Sequence, residues 1–192
     1  MTVLQLGPCR RDLIEYMESF GDEVKNTEQK LSGDSEILDG VDLVVSYGYR
    51  HILKKNVLNR FPRRIINLHI SLLPFNRGAD PNLWSFLEDT PKGVTIHYIA
   101  EGIDTGDVLT QQGVTFPPDA TLRSTYEKLS RAIEDLFREV WPEIRSGRSR
   151  SFPQPEGGSC HRIRDRARFE HLLTQGWDTP VAQLTGKALQ PA

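Results

Sequence analysis

Asp42-Leu43-Val44-Val45-Ser46-Tyr47 (DLVVSY) is a nearly continuous apolar run. A strand with one wet face alternates apolar and polar residues, whereas a parallel strand covered on both faces does not. DLVVSY therefore predicts a central parallel strand. Upstream, Thr2–Leu6 (TVLQL) reads as a short strand closed by Gly7-Pro8. Asp12–Phe20 then sets Leu13, Tyr16, Met17 and Phe20 at helical spacing ahead of Gly21. Asp22–Asn26 is expected as an edge strand and Ser35–Leu38 as a helical turn. Downstream of Gly48, His51–Asn59 offers Ile52, Leu53, Val57 and Leu58 as one side of a helix that Phe61-Pro62 ends.

The pattern repeats along the chain. Arg64–Ile70 is the next predicted strand, and Asp80-Pro81 reads as an N-cap followed by proline at the first position of a helix carrying Leu83, Trp84 and Leu87. Gly93–Ile99 alternates, with Val94, Ile96 and Tyr98 on one face and Thr95, His97 and Ile99 on the other, and Asp107–Val114 resumes a strand. A long helix is expected from Pro117-Pro118-Asp119 through Leu122, Leu129, Ile133, Phe137 and Trp141 until Pro142. Strands alternating with helices predict an α/β fold, a Rossmann-like, doubly wound, mostly parallel sheet. Beyond Gly147 the Ser-, Pro- and Gly-rich SRSFPQPEGGS reads as an extended loop. Asp165 is then expected to cap a short helix up to Gly176, and Asp178-Thr179-Pro180 to start another. The expected division is a main domain over residues 1–146 and a C-terminal loop with a short helical extension over 147–192.

At 192 residues the chain has room for one full core. A net charge of −2 points to no polyanionic partner, so nucleic acid is not expected. Cys9 and Cys160 are too far apart in sequence for a disulfide framework or a metal site, which makes a reducing, cytoplasmic compartment the expectation. Nothing resembles a signal peptide, and no apolar run reaches the length of a membrane span.

Within the strand Ile65-Ile66-Asn67-Leu68-His69-Ile70, Asn67 and His69 are two residues apart and share a face. Burying an amide and an imidazole costs free energy unless both find partners. Asp104 lies in the glycine-flanked turn Gly102-Ile103-Asp104-Thr105-Gly106, where backbone can approach a ligand closely. Taken singly, each has a plain explanation: a satisfied structural histidine, or an aspartate turned onto its own backbone. Together at the loop ends of strands in a parallel sheet, they read as a site.

NLHISLLP (Asn67–Pro74), RGADPNLWSFLE (Arg77–Glu88) and GVTIHYIAEGIDTGDVL (Gly93–Leu109) resemble the folate-dependent formyltransferase family, which includes glycinamide ribonucleotide, methionyl-tRNA and sugar N-formyltransferases. The resemblance implies an N-formyltransferase that takes its formyl group from 10-formyltetrahydrofolate, uses Asn67, His69 and Asp104 as catalytic residues, and needs no metal. It also implies a donor pocket between Ser46, Tyr47, Gly48, Tyr49, Ile52 and Leu53 on one side and Glu101, Gly102, Ile103 and Asp104 on the other.

The chain departs from the family at its front, where about one βα unit is abbreviated and Gly-Pro-Cys-Arg-Arg replaces a glycine-rich phosphate loop. It also ends before the C-terminal barrel of the tRNA enzymes. The sugar branch is therefore nearest. A primary amine on an amino sugar, free or nucleotide-linked, is the expected acceptor, with Asp80, Asn82 and Trp84 facing it or serving only as cap and core. Two alternatives share the site: hydrolysis of 10-formyltetrahydrofolate, and an inactive folate-binding or regulatory protein. Seven arginines between Arg145 and Arg168 face two acids, Glu156 and Asp165; they read as a solvated basic surface, or as a partner for a diphosphate or the glutamate tail of folate. A homodimer is common in the sugar branch, and Phe152 or the last helix is the expected apolar surface for one.

Overall fold

A mixed six-stranded sheet carries the chain, described over residues 1–190 in a computed structural model. β1 (Thr2–Leu6), α1 (Arg11–Glu18), β2 (Glu23–Thr27) and β3 (Leu43–Ser46) form the front, with a 3₁₀ turn at Glu36–Leu38. β1 pairs in parallel with β2 on one side and β3 on the other, and β2 is the edge strand. All four residues of β3 are buried, as the unbroken apolar run of DLVVSY requires. After α2 (Lys55–Leu58) come β4 (Ile65–His69), β5 (Arg77–Gly78), α3 (Pro81–Leu87), β6 (Gly93–Tyr98), β7 (Val108–Gly113), α4 (Leu122–Arg145) and β8 (Cys160–His161). The sheet order is β2-β1-β3-β4-β6-β7; β3 and β4 are parallel, and β6 and β7 run antiparallel.

Alternation along the strands feeds two cores. Val3, Val45, Ile66, Leu68, Val94 and Ile96 pack under α1 and α4 against Met17, Ile133, Phe137 and Trp141. On the opposite face Leu4, Leu6, Val44 and Ile65 meet Val57 and Phe61. Leu83, Trp84, Phe86 and Leu87 of α3 pack against Leu122, Val181 and Leu184, which seats the C-terminal segment.

Five local expectations change. The helix expected over His51–Asn59 shrinks to α2: Lys54 ahead of it is extended, at φ −81° and ψ 162°, and of the preceding pair Leu53 is buried while Ile52 is 75% exposed. Asp80 occupies the N-cap position of α3 but is left-handed at φ 52° and caps nothing; its carboxylate pairs with Arg166 at 3.3 Å instead. α4 starts at a capping box, with Thr121 and Ser124 satisfying each other's backbone N–H groups, several residues beyond Pro117. In place of the helix expected at Asp165, a 3₁₀ stretch runs over Ile163–Leu172 with no buried residue, and Asp165 accepts the Arg162 N–H at 2.7 Å from three residues inside.

Pro142 does not end α4, which continues to Arg145. A proline in a helix leaves the carbonyl four residues earlier without a donor. Here the Tyr16 hydroxyl of α1 donates to that Arg138 carbonyl at 2.7 Å. Tyr16→Phe is expected to lower the unfolding free energy by about 1 kcal/mol in chemical denaturation. In a Pro142→Ala background the restored N–H takes the carbonyl, and the same change has a smaller effect.

Among the described residues, no helix is long and apolar enough to cross a membrane.

Candidate functional site

Ile65, Asn67 and His69 share the face of β4 that looks away from α4, because Ile66 and Leu68 fill the core beneath that helix. The antiparallel register of β6 sets His97 directly across from Asn67 and Thr95 across from His69. The turn after β6 brings Asp104 over this pair of strands. Asn67 Nδ2 lies 3.3 Å from Asp104 Oδ1 and 3.3 Å from His97 Nε2. The Gly78 N–H donates to Asp104 Oδ2 at 2.8 Å. A side chain at Gly78 is excluded, since its Cβ would stand 2.2 Å from the His161 carbonyl oxygen.

Partners assign the imidazole protons. His69 Nε2 faces the Asn76 carbonyl at 3.1 Å, and His97 Nδ1 faces the Tyr98 carbonyl at 2.8 Å. A carbonyl only accepts, so each of these nitrogens carries a hydrogen. His97 Nε2 is then free to accept from Asn67. The other nitrogen of His69, Nδ1, stands 3.7 Å from Asp104 Oδ2. In neutral His69 these two atoms are both acceptors converging on one place, and a donor such as an amine N–H satisfies both.

Burial pushes the His69 pKa below its ordinary value; Asp104 opposes this, His97 adds to it, and the bond to Asn76 opposes it. For Asp104, burial pushes the carboxyl up, but His69, His97 and the Gly78 N–H together hold it well below the usual carboxylate range. Both folded pKa values are depressed. Each therefore contributes stability that is present above the unfolded pKa and lost as pH falls, below about 6.5 for His69 and about 4 for Asp104. The thermal midpoint is expected to drop on acidification through the His69 window, and the drop to flatten in His69→Asn.

The residues of the expected donor pocket separate into groups. Ser46 is buried and pairs in register with Asn67, and Gly48, at φ 70°, turns the chain away from β3. The Tyr47 side chain departs from that pocket: it lies in the core under α1 and α4, with Arg10 stacked 4.6 Å from its ring centre, and burial pushes its hydroxyl up to about 12. Tyr49 donates its hydroxyl to Gln29 O at 2.7 Å and accepts from Leu31 N–H at 3.1 Å, fixing the loop after β2. Leu53 is buried, and Ile52 is bare. Lys55 pairs with Glu101 at 2.9 Å, which joins this loop to the one holding Gly102, Ile103 and Asp104. Gly102 stands at φ 105° and Asp104 at φ 50°, so the turn is left-handed at both positions.

Among the seven arginines, Arg145 binds the fully buried carboxylate of Asp22 at 2.8 Å and Arg166 binds Asp80, so these two are structural ties. Trp84 is buried and stacks on His161 with ring centres 3.6 Å apart. Among the described residues, no group of three or more His, Cys, Asp or Glu is placed to hold a metal. Sequence reasoning left His97 out of the site. Its signal was present in the alternation of β6, which puts His97 on the face opposite Val94 and Ile96, but the antiparallel register with β4 was needed to set it against Asn67.

Residues 18–141 match the formyl transferase family, Formyl_trans_N. The chain is similar to the methionyl-tRNA formyltransferase of Myxococcus xanthus, 38% identical over 118 residues that make up 61% of this chain and 38% of the relative. That of Syntrophus aciditrophicus is 36% identical over 129 residues, 66% of this chain and 41% of the relative. The chain thus spans about two fifths of the length of these curated relatives. Among solved structures, it is similar to the formyltransferase PseJ from Anoxybacillus kamchatkensis in complex with UDP-4,6-dideoxy-4-formamido-L-AltNAc and tetrahydrofolate. That match has a TM-score of 0.96 and 55% identity, covering 98% of this chain and 100% of the other. An N-formyltransferase from Helicobacter canadensis shares the fold at TM-score 0.71 and 19% identity, over 85% of this chain and 71% of the other. The family match runs from the last residue of α1 to Trp141 within α4, covers β2 to β7 and includes Asn67, His69, His97 and Asp104, and the chain belongs to the formyl transferase family.

Proposed function

We propose that this chain transfers a formyl group from 10-formyltetrahydrofolate to the primary amine of an amino sugar carried on a nucleotide. The observation that carries the reading is the convergence of His69 Nδ1 and Asp104 Oδ2, two acceptors 3.7 Å apart with the Asn67 amide beside them. The sugar-nucleotide acceptor is supported by the 55% identity to PseJ over nearly the whole chain.

Formyl transfer forms one C–N bond and breaks another, and one proton moves from the acceptor amine to N10 of the folate. Asp104, ionised, and His69, neutral at Nδ1, accept from the amine and hold its lone pair toward the formyl carbon. As the amine adds, His69 Nδ1 takes its proton and Asp104 stabilises the resulting imidazolium. The carbonyl oxygen gains negative charge at this stage, and Asn67 Nδ2 donates to it by exchanging one of its two long 3.3 Å bonds. Protonated His69 Nδ1–H then returns the proton to N10 as the bond from the formyl carbon to N10 breaks. His97 receives no proton in this scheme. It holds the Asn67 amide in place by accepting from it.

The donor fits the two bridged loops. Ile52 offers a bare apolar side chain, and Gly102 at φ 105° presents backbone with no side chain, which suits a flat heterocycle held by main-chain contacts. The test is turnover of 10-formyltetrahydrofolate with a UDP-linked 4-amino-4,6-dideoxy sugar. The expected result is tetrahydrofolate and sugar formamide in equal amounts. Formate released in place of formamide would make the chain a hydrolase, and tight folate binding with no turnover across an amine panel would make it a binding protein.

A further inference from the structure

The turn that carries Asp104 is held from outside the sheet by a segment the reaction does not touch. Asp104 sits at φ 50°, a conformation disfavoured for residues with a side chain, and Gly106 packs so closely that a Cβ there would lie 1.9 Å from the Tyr98 carbonyl oxygen. Backbone of this kind persists only where its surroundings over-determine it. Gln154 Nε2 donates to the carbonyls of both Asp104 and Gly106, at 2.7 and 2.8 Å. The opposite end of the same amide, Oε1, accepts from Arg77 Nε at 3.1 Å and Nη2 at 2.8 Å. Two guanidinium donors on Oε1 leave only one orientation for the amide, with Nε2 turned to the carbonyls. Arg77 precedes Gly78, whose N–H holds the Asp104 carboxylate. The contacts therefore close a ring from the carboxylate through Gly78, Arg77 and Gln154 back to the Asp104 main chain.

Gln154 is itself tied on both sides. Phe152 and Val108 exchange backbone bonds of 2.8 and 2.9 Å, and β8 pairs in parallel with β5. The stretch read from composition as an extended loop is thus a strap that holds the Asp104 turn.

We propose that Gln154 is a positioning residue of the formyl-transfer site, holding the Asp104 turn so that its carboxylate stays beside His69. This rests on the function proposed above. Both ends of the Gln154 amide are taken up by Arg77 and by the carbonyls of Asp104 and Gly106, so its loss acts on the Asp104 turn. Two substitutions separate this from a purely structural role. Gln154→Met keeps the length and removes the amide. Gln154→Glu keeps an oxygen for Arg77 but has no donor for the two carbonyls.

The measurement is kcat and KM for donor and acceptor across pH, together with thermal midpoints. Both variants are expected to lower kcat about tenfold to a hundredfold while KM changes much less. The acid limb of kcat/KM should move to lower pH, because a misplaced Asp104 no longer raises the His69 pKa, and midpoints should stay close to wild type. Near-wild-type kcat with an unmoved acid limb overturns the proposal, as does lost activity that merely follows lost folded protein; if Gln154→Met does not fold, Gln154→Glu decides alone. A wild-type chain that transfers no formyl group in the same assay overturns the reading of the site itself, and the role of Gln154 falls with it.

Discussion

Asp104→Asn is expected to lower kcat by on the order of a thousandfold, with little change in folate affinity. Asparagine tolerates the left-handed backbone that Asp104 adopts, so the turn survives the change. Its remaining side-chain oxygen can still accept the Gly78 N–H. What disappears is the negative charge that stabilises the His69 imidazolium. The new amide nitrogen would also face Asn67 Nδ2, setting donor against donor where Asp104 Oδ1 now accepts at 3.3 Å. Steady-state kinetics beside a tetrahydrofolate binding isotherm check this: kcat should collapse while the isotherm stays near wild type.

Asn67→Ala is the second large effect, a loss of about a hundredfold to a thousandfold in kcat. The Asn67 amide does two things at once. In the proposed reaction it donates to the formyl oxygen as charge develops there, and in the resting site it satisfies both Asp104 Oδ1 and His97 Nε2. Alanine removes both contributions, and the carboxylate and the His97 nitrogen each lose a donor. Steady-state kinetics should therefore show a lower kcat, with tetrahydrofolate binding close to wild type. A kcat near wild type in Asn67→Ala would contradict its role at the formyl oxygen.

Much of this site was legible before any coordinates because the physics involved is local. Two polar residues spaced by two in an apolar strand must share a face, and DLVVSY without alternation must be covered on both sides; β3 and β4 show both. The partners that complete the site were hidden because they depend on contacts distant in sequence. His97 reaches Asn67 only through an antiparallel register, and Gln154 reaches the Asp104 turn across 50 residues of chain. Gly78 acts through its backbone, and no side chain announces that. The short α2 was misjudged for a related reason. Ile52 and Leu53 look like one helical face, but the helix begins only at Lys55 after an extended Lys54, and of the two only Leu53 joins the core. At Pro142 the rule that proline ends a helix gave way to a tertiary contact, the Tyr16 hydroxyl on the Arg138 carbonyl.

The most direct test of the account is a single-turnover reaction with donor labelled at the formyl carbon and a UDP-linked amino sugar, run with wild type and with Asp104→Asn. The account predicts that the label appears in the sugar formamide with wild type and stays on the folate with Asp104→Asn, although the variant still binds folate. Label transferred by Asp104→Asn at the wild-type rate, or released as formate by the wild type with the amine present, would contradict it.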